Sequence, residues 1–405
     1  MTAKNNIPAG YKDSVVGIIP QEWKVDRLGE ICLTFKSGTT ITSQSIKESG
    51  LYPVYGGNGL RGYTDSYTHN GDYILIGRQG ALCGNINFIR GKAYISEHAI
   101  AVQPNESNSI EFLRYKLDFW NINRFSESSA QPGLSVEKLV RYKLAVPPIE
   151  EQRKIAEILG VWDEAIEKQS RLIEKLELRK RALMQRLLTG RTRLPGFTTP
   201  WQKVKLGEIG TFLSTNTLSR DKLNDNNGSI QNIHYGDILV KYSSIVDAKL
   251  TAIPYVNEDV AISSDYLENG DIVFSDTAED NIVGKAVEIS NIADKKIVAG
   301  LHTMLFRPNK GSYAQHFLGY YLNSDAYRKQ LAPLIQGIKV CSISKRAICH
   351  TIVLTPSLPE QKAIAEVLTT ADDEIATNRK KLDALRLQKR GLMQQLLTGK
   401  TRVKI

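Results

Sequence analysis

The sequence predicts an α+β chain: two mixed, β-rich globular parts separated by two long antiparallel helices that form an intramolecular coiled coil, with an internal pseudo-twofold repeat. Three observations predict it. Within the 405 residues, EQRKIAEIL (151–159) and LMQRLLTG (183–190) return as EQKAIAEVL (360–368) and LMQQLLTG (392–399), both at an offset of 209. WKVDRLGEI (23–31) returns as WQKVKLGEI (201–209) at the smaller offset of 178, so the second globular part is longer by the difference, 31 residues. Along the C-terminal part of both copies, apolar residues recur at alternating four- and three-residue spacing, the 3.5-residue period of a coiled-coil seam. A close tandem duplication of this kind holds two similar modules a fixed distance apart.

The elements follow in order. The first globular part carries short apolar or β-branched runs at 52–65, 71–80 and 93–104, broken by Gly, Asn and Asp, which read as strands and turns. A helix is predicted over 111–120, and a last strand at 143–148 is stopped by Pro147 and Pro148. The second part keeps this order, with strand-like runs at 236–245, 269–289 and 297–308, a helix over 316–331 and a final strand at 351–357. The predicted domains are 1–148, the helix 149–190, 191–357, and the helix with its basic tail 358–405.

Each long helix starts near prolines (Pro147 and Pro148; Pro356 and Pro359) and stops at Gly190 or Gly399. The first seam runs through Ile155, Leu159, Trp162, Ile166, Ile173, Leu176, Leu183 and Leu187, with Gln169 and Lys180 in the two polar slots. The second runs through Ile364, Leu368, Ala371, Ile375, Leu382, Leu385, Leu392 and Leu396, with Asn378 and Lys389 in the slots. About 38 residues at 1.5 Å each give roughly 57 Å. A globular domain must fit between the end of one helix and the start of the next, so pairing within the chain is antiparallel. Gln169 and Asn378 then fall near the middle, where a lone polar residue fixes register.

Composition sets the class. Hydrophobic residues make up 41% and charged residues 24%, as in soluble globular proteins. MTAKNNIPAG has no signal-peptide core, and no apolar run approaches the roughly 18 residues of a membrane span. Four scattered cysteines (Cys32, Cys83, Cys341, Cys349) form no CxxC pair. A cytoplasmic chain without a membrane partner is expected. The net charge of +10 is unevenly placed: residues 378–404 hold nine basic residues against Asp383, and 171–193 hold eight against Glu174 and Glu177. A basic helix end is a solvated face in most proteins; two of them, one per copy, favour a polyanion.

The sequence has no P-loop or GxSxG pattern, and Pro147–Pro148 is followed by Ile149 rather than the aromatic of an amino-methyltransferase motif. The nearest enzymatic pattern is Asp237 with Asp247 and Lys249, a loose match to metal-dependent nucleases that the first copy lacks. Asp276, Glu279 and Asp280 form a polar acidic loop, and His98 and His302 fall at comparable points of the two copies. Binding chemistry is richer. Asn58, Arg61 and Tyr63 lie in the glycine-rich GGNGLRGY turn, and Arg78 and Gln79 sit between glycines in GRQG. Arg can fork onto guanine and Asn or Gln onto adenine, and the glycines would admit a close duplex. In the second copy the candidates are His234, Tyr235, Lys241 and Lys339. These loops differ greatly between copies although the helices repeat one seam and the same end motifs, the pattern of two modules reading different ligands.

GIIPQEWKVDRLGEI (17–31), LAVPPIEEQRKIAEIL (144–159), LTPSLPEQKAIAEVL (354–368), the two LMQ(R/Q)LLTG segments, IHYGDIL (233–239) and QGIKVCSISKRAI (336–348) resemble the specificity subunit of type I restriction–modification systems over nearly the whole chain. FKSGTT (35–40) matches the glycine-threonine start of such domains only loosely and has no clear counterpart in the second copy. The resemblance implies two target-recognition domains that read the halves of a split sequence in double-stranded DNA, with the helices as a ruler for the spacer. It implies two modification (methyltransferase) subunits docked on those helices, and restriction subunits in the full complex. No cofactor is implied in this subunit; S-adenosylmethionine belongs to the modification partner, and ATP and Mg to the restriction partner. The subunit itself would be non-catalytic. The alternatives are the recognition subunit of a related system with a fused nuclease–methyltransferase partner, or a metal-dependent nuclease.

Overall fold

The computed structural model describes residues 7–80, 82–126, 132–258 and 260–405. It divides into two compact units, Met1–Ser170 with Lys380–Ile405, and Arg171–Arg379. Both divisions fall inside the long helices Ile149–Leu187 and Leu358–Leu397, so each unit contains part of both.

In the first unit an antiparallel sheet has the strand order Cys32–Ser37, Ala99–Pro104, Tyr73–Gly77, Ile86–Ile89. Its two central strands are covered on both faces, which is why they read as unbroken apolar runs rather than alternating ones. Ile74, Ile76, Ile100 and Val102 pack with Leu113 and Leu117 of helix Ile110–Trp120. Leu75, Ala99 and Ala101 pack the other way, with Ala93 and Ile95 of a second sheet. That sheet has the order Gly59–Thr64, Tyr52–Gly56, Lys92–Ile95, His69–Asn70, with its middle pair parallel. Lys24–Arg27 pairs with Lys143–Val146, which seats Trp23 beside the start of the first long helix.

The second unit repeats this plan. Its larger sheet runs Gly210–Leu213, Thr303–Pro308, Ile272–Ser275, Ala286–Ser290 and an added parallel strand, Ile245–Asp247. The smaller sheet again contains a parallel pair, Ile230–Ile233 with Lys296–Ala299, and Gln202–Lys205 pairs with Ile352–Thr355. The offset between matched residues is 178 at Val54 and Asn232 but 198 at Ile74 and Ile272, so most of the extra length lies between these strands.

Two expected elements differ. Residues 236–245, read as strand, begin with the helix Tyr235–Val240, because the His234 side chain caps it by accepting from the Gly236 N–H and Asp237 sits in its first turn. Residues 316–331 form two helices, Phe317–Tyr321 and Asp325–Leu331. Between them, the Asn323 side chain is bound to both backbone groups of Ala286, and Ser324 caps the second helix. Pro359 lies within the first turn of its long helix, where its missing N–H has no partner to lose.

Strand Ala286–Ser290 buries Glu288, whose carboxylate accepts from the N–H groups of His316 at 2.5 Å and Gly319 at 2.8 Å. Burial pushes its pKa up to about 7, against the two hydrogen bonds that favour the charge. A folded-state pKa above the ordinary carboxyl value means a contribution fully present below about pH 4.5 and lost as pH rises through about 7. Thermal unfolding of the wild type should therefore show a decline in stability across that window that is absent from Glu288→Gln. Equal pH slopes for the two proteins would rule out this account of Glu288.

Candidate nucleic-acid interface and the paired helices

In the first unit the hairpin between Tyr52–Gly56 and Gly59–Thr64 turns at Gly57 and Asn58. Asn58 and Arg61 are exposed and Tyr63 is half-buried. A Cβ on Gly57 would meet the His98 carbonyl at 2.7 Å and the Gly77 Cα at 3.1 Å, so the turn rests directly on the end of strand Tyr73–Gly77. The glycines expected to admit a duplex thus serve first to let two loops of the chain close on each other. Arg78 follows, its N–H donating to the His98 carbonyl at 2.9 Å. His98 Nδ1 lies 3.3 Å from Gln79 Oε1. Gly57, Arg78, Gln79 and His98 are thereby brought together, with Asn58 next to Gly57 in the turn. The guanidinium groups of Arg61 and Arg78 have no ion-pair partner among the described residues.

The second unit builds the corresponding corner from other side chains. The Asp276 N–H donates to the His302 carbonyl at 3.1 Å, and His302 Nδ1 lies 3.3 Å from Thr277 Oγ1. Tyr235 meets His302 edge-on with ring centres 5.3 Å apart, and the His234 ring lies 4.7 Å from Tyr235. Burial lowers the His234 pKa, opposed by Asp237 and assisted by Arg220. Lys339 is exposed in the turn 336–340, whose flanking Gln336 and Ser342 exchange backbone hydrogen bonds. Cys341–Ser342 pairs with Thr277–Ala278, so this turn stands beside Thr277. Lys241 is engaged elsewhere, its ammonium 3.0 Å from Asp237. The structure also supplies the counterpart that FKSGTT lacked in sequence: the Thr39 N–H donates to the Ile95 carbonyl, and the Asn216 N–H to the matched Ala299 carbonyl, both at 2.9 Å.

The nuclease-like acids are separately occupied. Asp237 is buried and paired with Arg220 and Lys241, whereas Asp247 accepts from Asn291 at 2.7 Å and from the Lys249 N–H at 2.8 Å. Among the described residues no group of three His, Cys, Asp or Glu side chains could hold a metal ion.

Along the long helices, burial follows the four–three spacing. Ile155, Leu159, Gln169, Ile173, Leu176 and Leu187 are buried, and Trp162, Ile166 and Leu183 half-buried. In the second helix Ile364, Leu368, Ala371, Ile375, Leu382 and Leu396 are buried, and Asn378, Leu385 and Leu392 half-buried. Val161, Leu172, Leu178 and Leu387 lie off that spacing and are exposed. The lysine slots have partners. In the first unit Lys389 Nζ meets Asp163 at 2.5 Å, and Tyr115 donates to the other Asp163 oxygen at 2.5 Å. In the second, Lys180 meets Asp372 at 2.5 Å and Tyr320 donates to it at 2.8 Å. Burial alone would raise the Asp163 carboxyl; Lys389 and Tyr115 outweigh it and hold its pKa below the ordinary range.

Sequence reading missed what the EQ and TR segments do. Glu151 and Glu360 have no exposed surface. Glu151 accepts from Trp23 Nε1 at 3.0 Å and from the Arg402 guanidinium in a two-point contact at 2.7 and 3.0 Å. Glu360 accepts from Trp201 Nε1 at 3.0 Å and from Arg193 at 2.5 and 2.7 Å. Each neighbouring glutamine, Gln152 or Gln361, donates to the carbonyl of Pro147 or Pro356 at 3.0 Å. The available signal was the shared offset: Glu151 and Glu360, like Arg193 and Arg402, are 209 residues apart.

A family model described as the type I restriction modification DNA specificity domain matches residues 20–178 and again 198–387. The chain belongs to that family. It carries two tandem copies of the specificity domain, the organisation of a type I specificity subunit. The EcoprrI specificity subunit of Escherichia coli is 42% identical over 159 residues, 38% of this chain and 39% of that one. The MjaVIII specificity subunit of Methanocaldococcus jannaschii is 26% identical over 95% of this chain and 94% of its own. Among solved structures, the type I S subunit from M. genitalium matches 100% of this chain and 99% of its own, with a TM-score of 0.58 at 15% identity. A chain from a study of complex assembly and conformational transition in a type I system matches 95% of this chain and 99% of its own, with a TM-score of 0.58 at 18% identity. These structures share the fold of the specificity chain. Among its described residues no helix is long and apolar enough to cross a membrane.

Removing one partner of a buried, two-point charge pair leaves the other charge desolvated, which costs about 3–5 kcal/mol. Arg402→Ala and Arg193→Ala should each lower stability by that order in urea unfolding, while Glu151→Gln with Arg402→Met should recover much of the loss. Single variants within about 0.5 kcal/mol of wild type, the scatter of ordinary surface changes, would show that the clasp contributes little.

Proposed function

We propose that this chain is the DNA-reading subunit of a type I restriction–modification complex, each recognition domain reading one half of a bipartite target and the helix pair setting the spacer. The observation that carries this reading is the contrast within the duplication. The corners that meet at His98 and at His302 repeat one backbone hydrogen bond and carry different side chains around it, whereas the helices repeat their seam and its polar pairs. The pairs Asp163–Lys389 and Lys180–Asp372 belong to one antiparallel register, since their residue numbers give the same total. That register supports an intramolecular coiled coil and a pseudo-twofold relation between the copies.

A 39-residue helix at 1.5 Å per residue is roughly 58 Å long. Half-sites read from one face of DNA lie about 34 Å apart, within the span of such a helix. Asn58, Arg61, Tyr63, Arg78 and Gln79 in the first domain, and Tyr235 and Lys339 in the second, are the proposed DNA-facing residues, while His234 and Lys241 are engaged within the second domain. The exposed sides of the helices dock two modification subunits, which bring S-adenosylmethionine and methylate adenine, and restriction subunits join with ATP and Mg. The chain contributes recognition and assembly, without a reaction of its own, in the cytoplasm.

Methylated sites mapped after reconstitution with the modification partner test this. Deleting one heptad from each helix should change the spacer and preserve both half-sites; altered half-sites at an unchanged spacer would contradict the ruler. Exchanging residues 20–146 for another recognition domain should change one half-site only, and a change in both would contradict independent reading.

A further inference from the structure

The corner at which each copy offers its candidate reading residues is matched at the backbone. Gly77 pairs with Ala99 in the first unit and Ser275 with Thr303 in the second, so position 78 corresponds to 276, 79 to 277, and His98 to His302. The N–H of Arg78 reaches the His98 carbonyl at 2.9 Å, and that of Asp276 the His302 carbonyl at 3.1 Å. The histidines then repeat one contact: Nδ1 lies 3.3 Å from Gln79 Oε1 in one copy and 3.3 Å from Thr277 Oγ1 in the other. A constant histidine therefore holds a variable neighbour, and the position before that neighbour carries opposite charge in the two copies.

The free atoms at that position are specific. Arg78 is half-buried, and its guanidinium has no ion-pair partner among the described residues. Asp276 is 31% exposed at the side chain; its Oδ1 accepts from Thr277 Oγ1 at 2.8 Å and faces His302 Nδ1 at 3.3 Å, which leaves Oδ2 open among the described residues. In the major groove a guanidinium fork matches O6 and N7 of guanine, and a carboxylate oxygen accepts from the N4 amino group of cytosine. A carboxylate also repels phosphate and the acceptor edge of guanine, so Asp276 is a selective element and not an affinity element.

We propose that residues 78 and 276 are the matched base-reading positions of the two domains, Arg78 selecting guanine and Asp276 selecting cytosine, with His98 and His302 as the positioning residues of each corner. The proposal rests on the DNA-reading function above. It explains why one corner presents a basic residue and the other an acidic one at the same register position. It also accounts for the matched histidines, which fix the neighbouring side chain and hence the rim of each reading position.

The full chain reconstituted with its modification partner, methylating a library of duplexes with randomised half-sites, tests it. The wild type should select guanine in one half-site and cytosine at the matched place of the other. Asp276→Arg should convert that cytosine preference to guanine and leave the first half-site and the spacer unchanged. Asp276→Asn, a near-isosteric change, should relax discrimination at that one base pair by roughly 5- to 150-fold. His302→Ala should broaden the same base position, and His302→Gln should restore it, a pattern that loss of folding would not produce. An active Asp276→Arg or Asp276→Asn complex with unmoved base preferences overturns the proposal and leaves the function intact. A wild-type complex with no bipartite preference overturns the function reading itself.

Discussion

Each copy of the repeat is closed by one buried carboxylate that accepts three hydrogen bonds, one from a tryptophan and two from an arginine: Glu151 from Trp23 and Arg402, Glu360 from Trp201 and Arg193. In each unit the tryptophan immediately precedes the strand that pairs with the domain's last strand, Lys24–Arg27 or Gln202–Lys205, the glutamate comes from the first turn of a long helix, and the arginine from the tail that follows the other long helix. Desolvating a carboxylate is tolerable only if its lone pairs are met, and the guanidinium fork with the indole N–H meets them. The pairing therefore acts as a lock on geometry: any slip of helix against domain would strand a charge. Gly190 and Gly399, at φ of 68° and 73°, supply the left-handed turns that send the tails back toward the clasp.

The polar pairs along the helices apply the same logic with less burial. An apolar stripe is satisfied by several registers, because one leucine packs on another almost as well one heptad along. Lys389 with Asp163 and Tyr115, and Lys180 with Asp372 and Tyr320, are satisfied by one register alone. That distinction fixes the alignment of the two helices, which the apolar stripe by itself does not. The aromatic hydroxyls come from the domain helices, so the same contacts that fix helix register also tie each domain to its part of the helix pair.

The matched corners at His98 and His302 follow the opposite rule. One backbone hydrogen bond is repeated there, and the neighbouring side chains are not. His98 and His302 keep their hydrogen-bonding posture while Arg78 and Gln79 give way to Asp276 and Thr277. The second domain also inserts the helix Tyr235–Val240, which brings Tyr235 against His302. A duplicated scaffold can in this way present two different chemistries without disturbing the paired helices.

The sequence by itself determined the duplication, the length and period of the long helices, and most strands, because these depend on local periodicity, turn residues and repeat offsets. It misread 236–245 and 316–331, where a side-chain cap from His234 and the anchoring of Asn323 to Ala286 overrode local propensity. Candidate binding loops were visible through glycine and polar residues, yet nothing in them showed that Gly57 and Gly77 pack on each other or that Asp276 matches Arg78. Only the tertiary structure decided the clasp, the partners of Lys180 and Lys389, and the matched corners. Their physical reason is common: each joins residues far apart in the chain, and a pattern read along the sequence carries no distance between strands, loops and tails that meet only after folding.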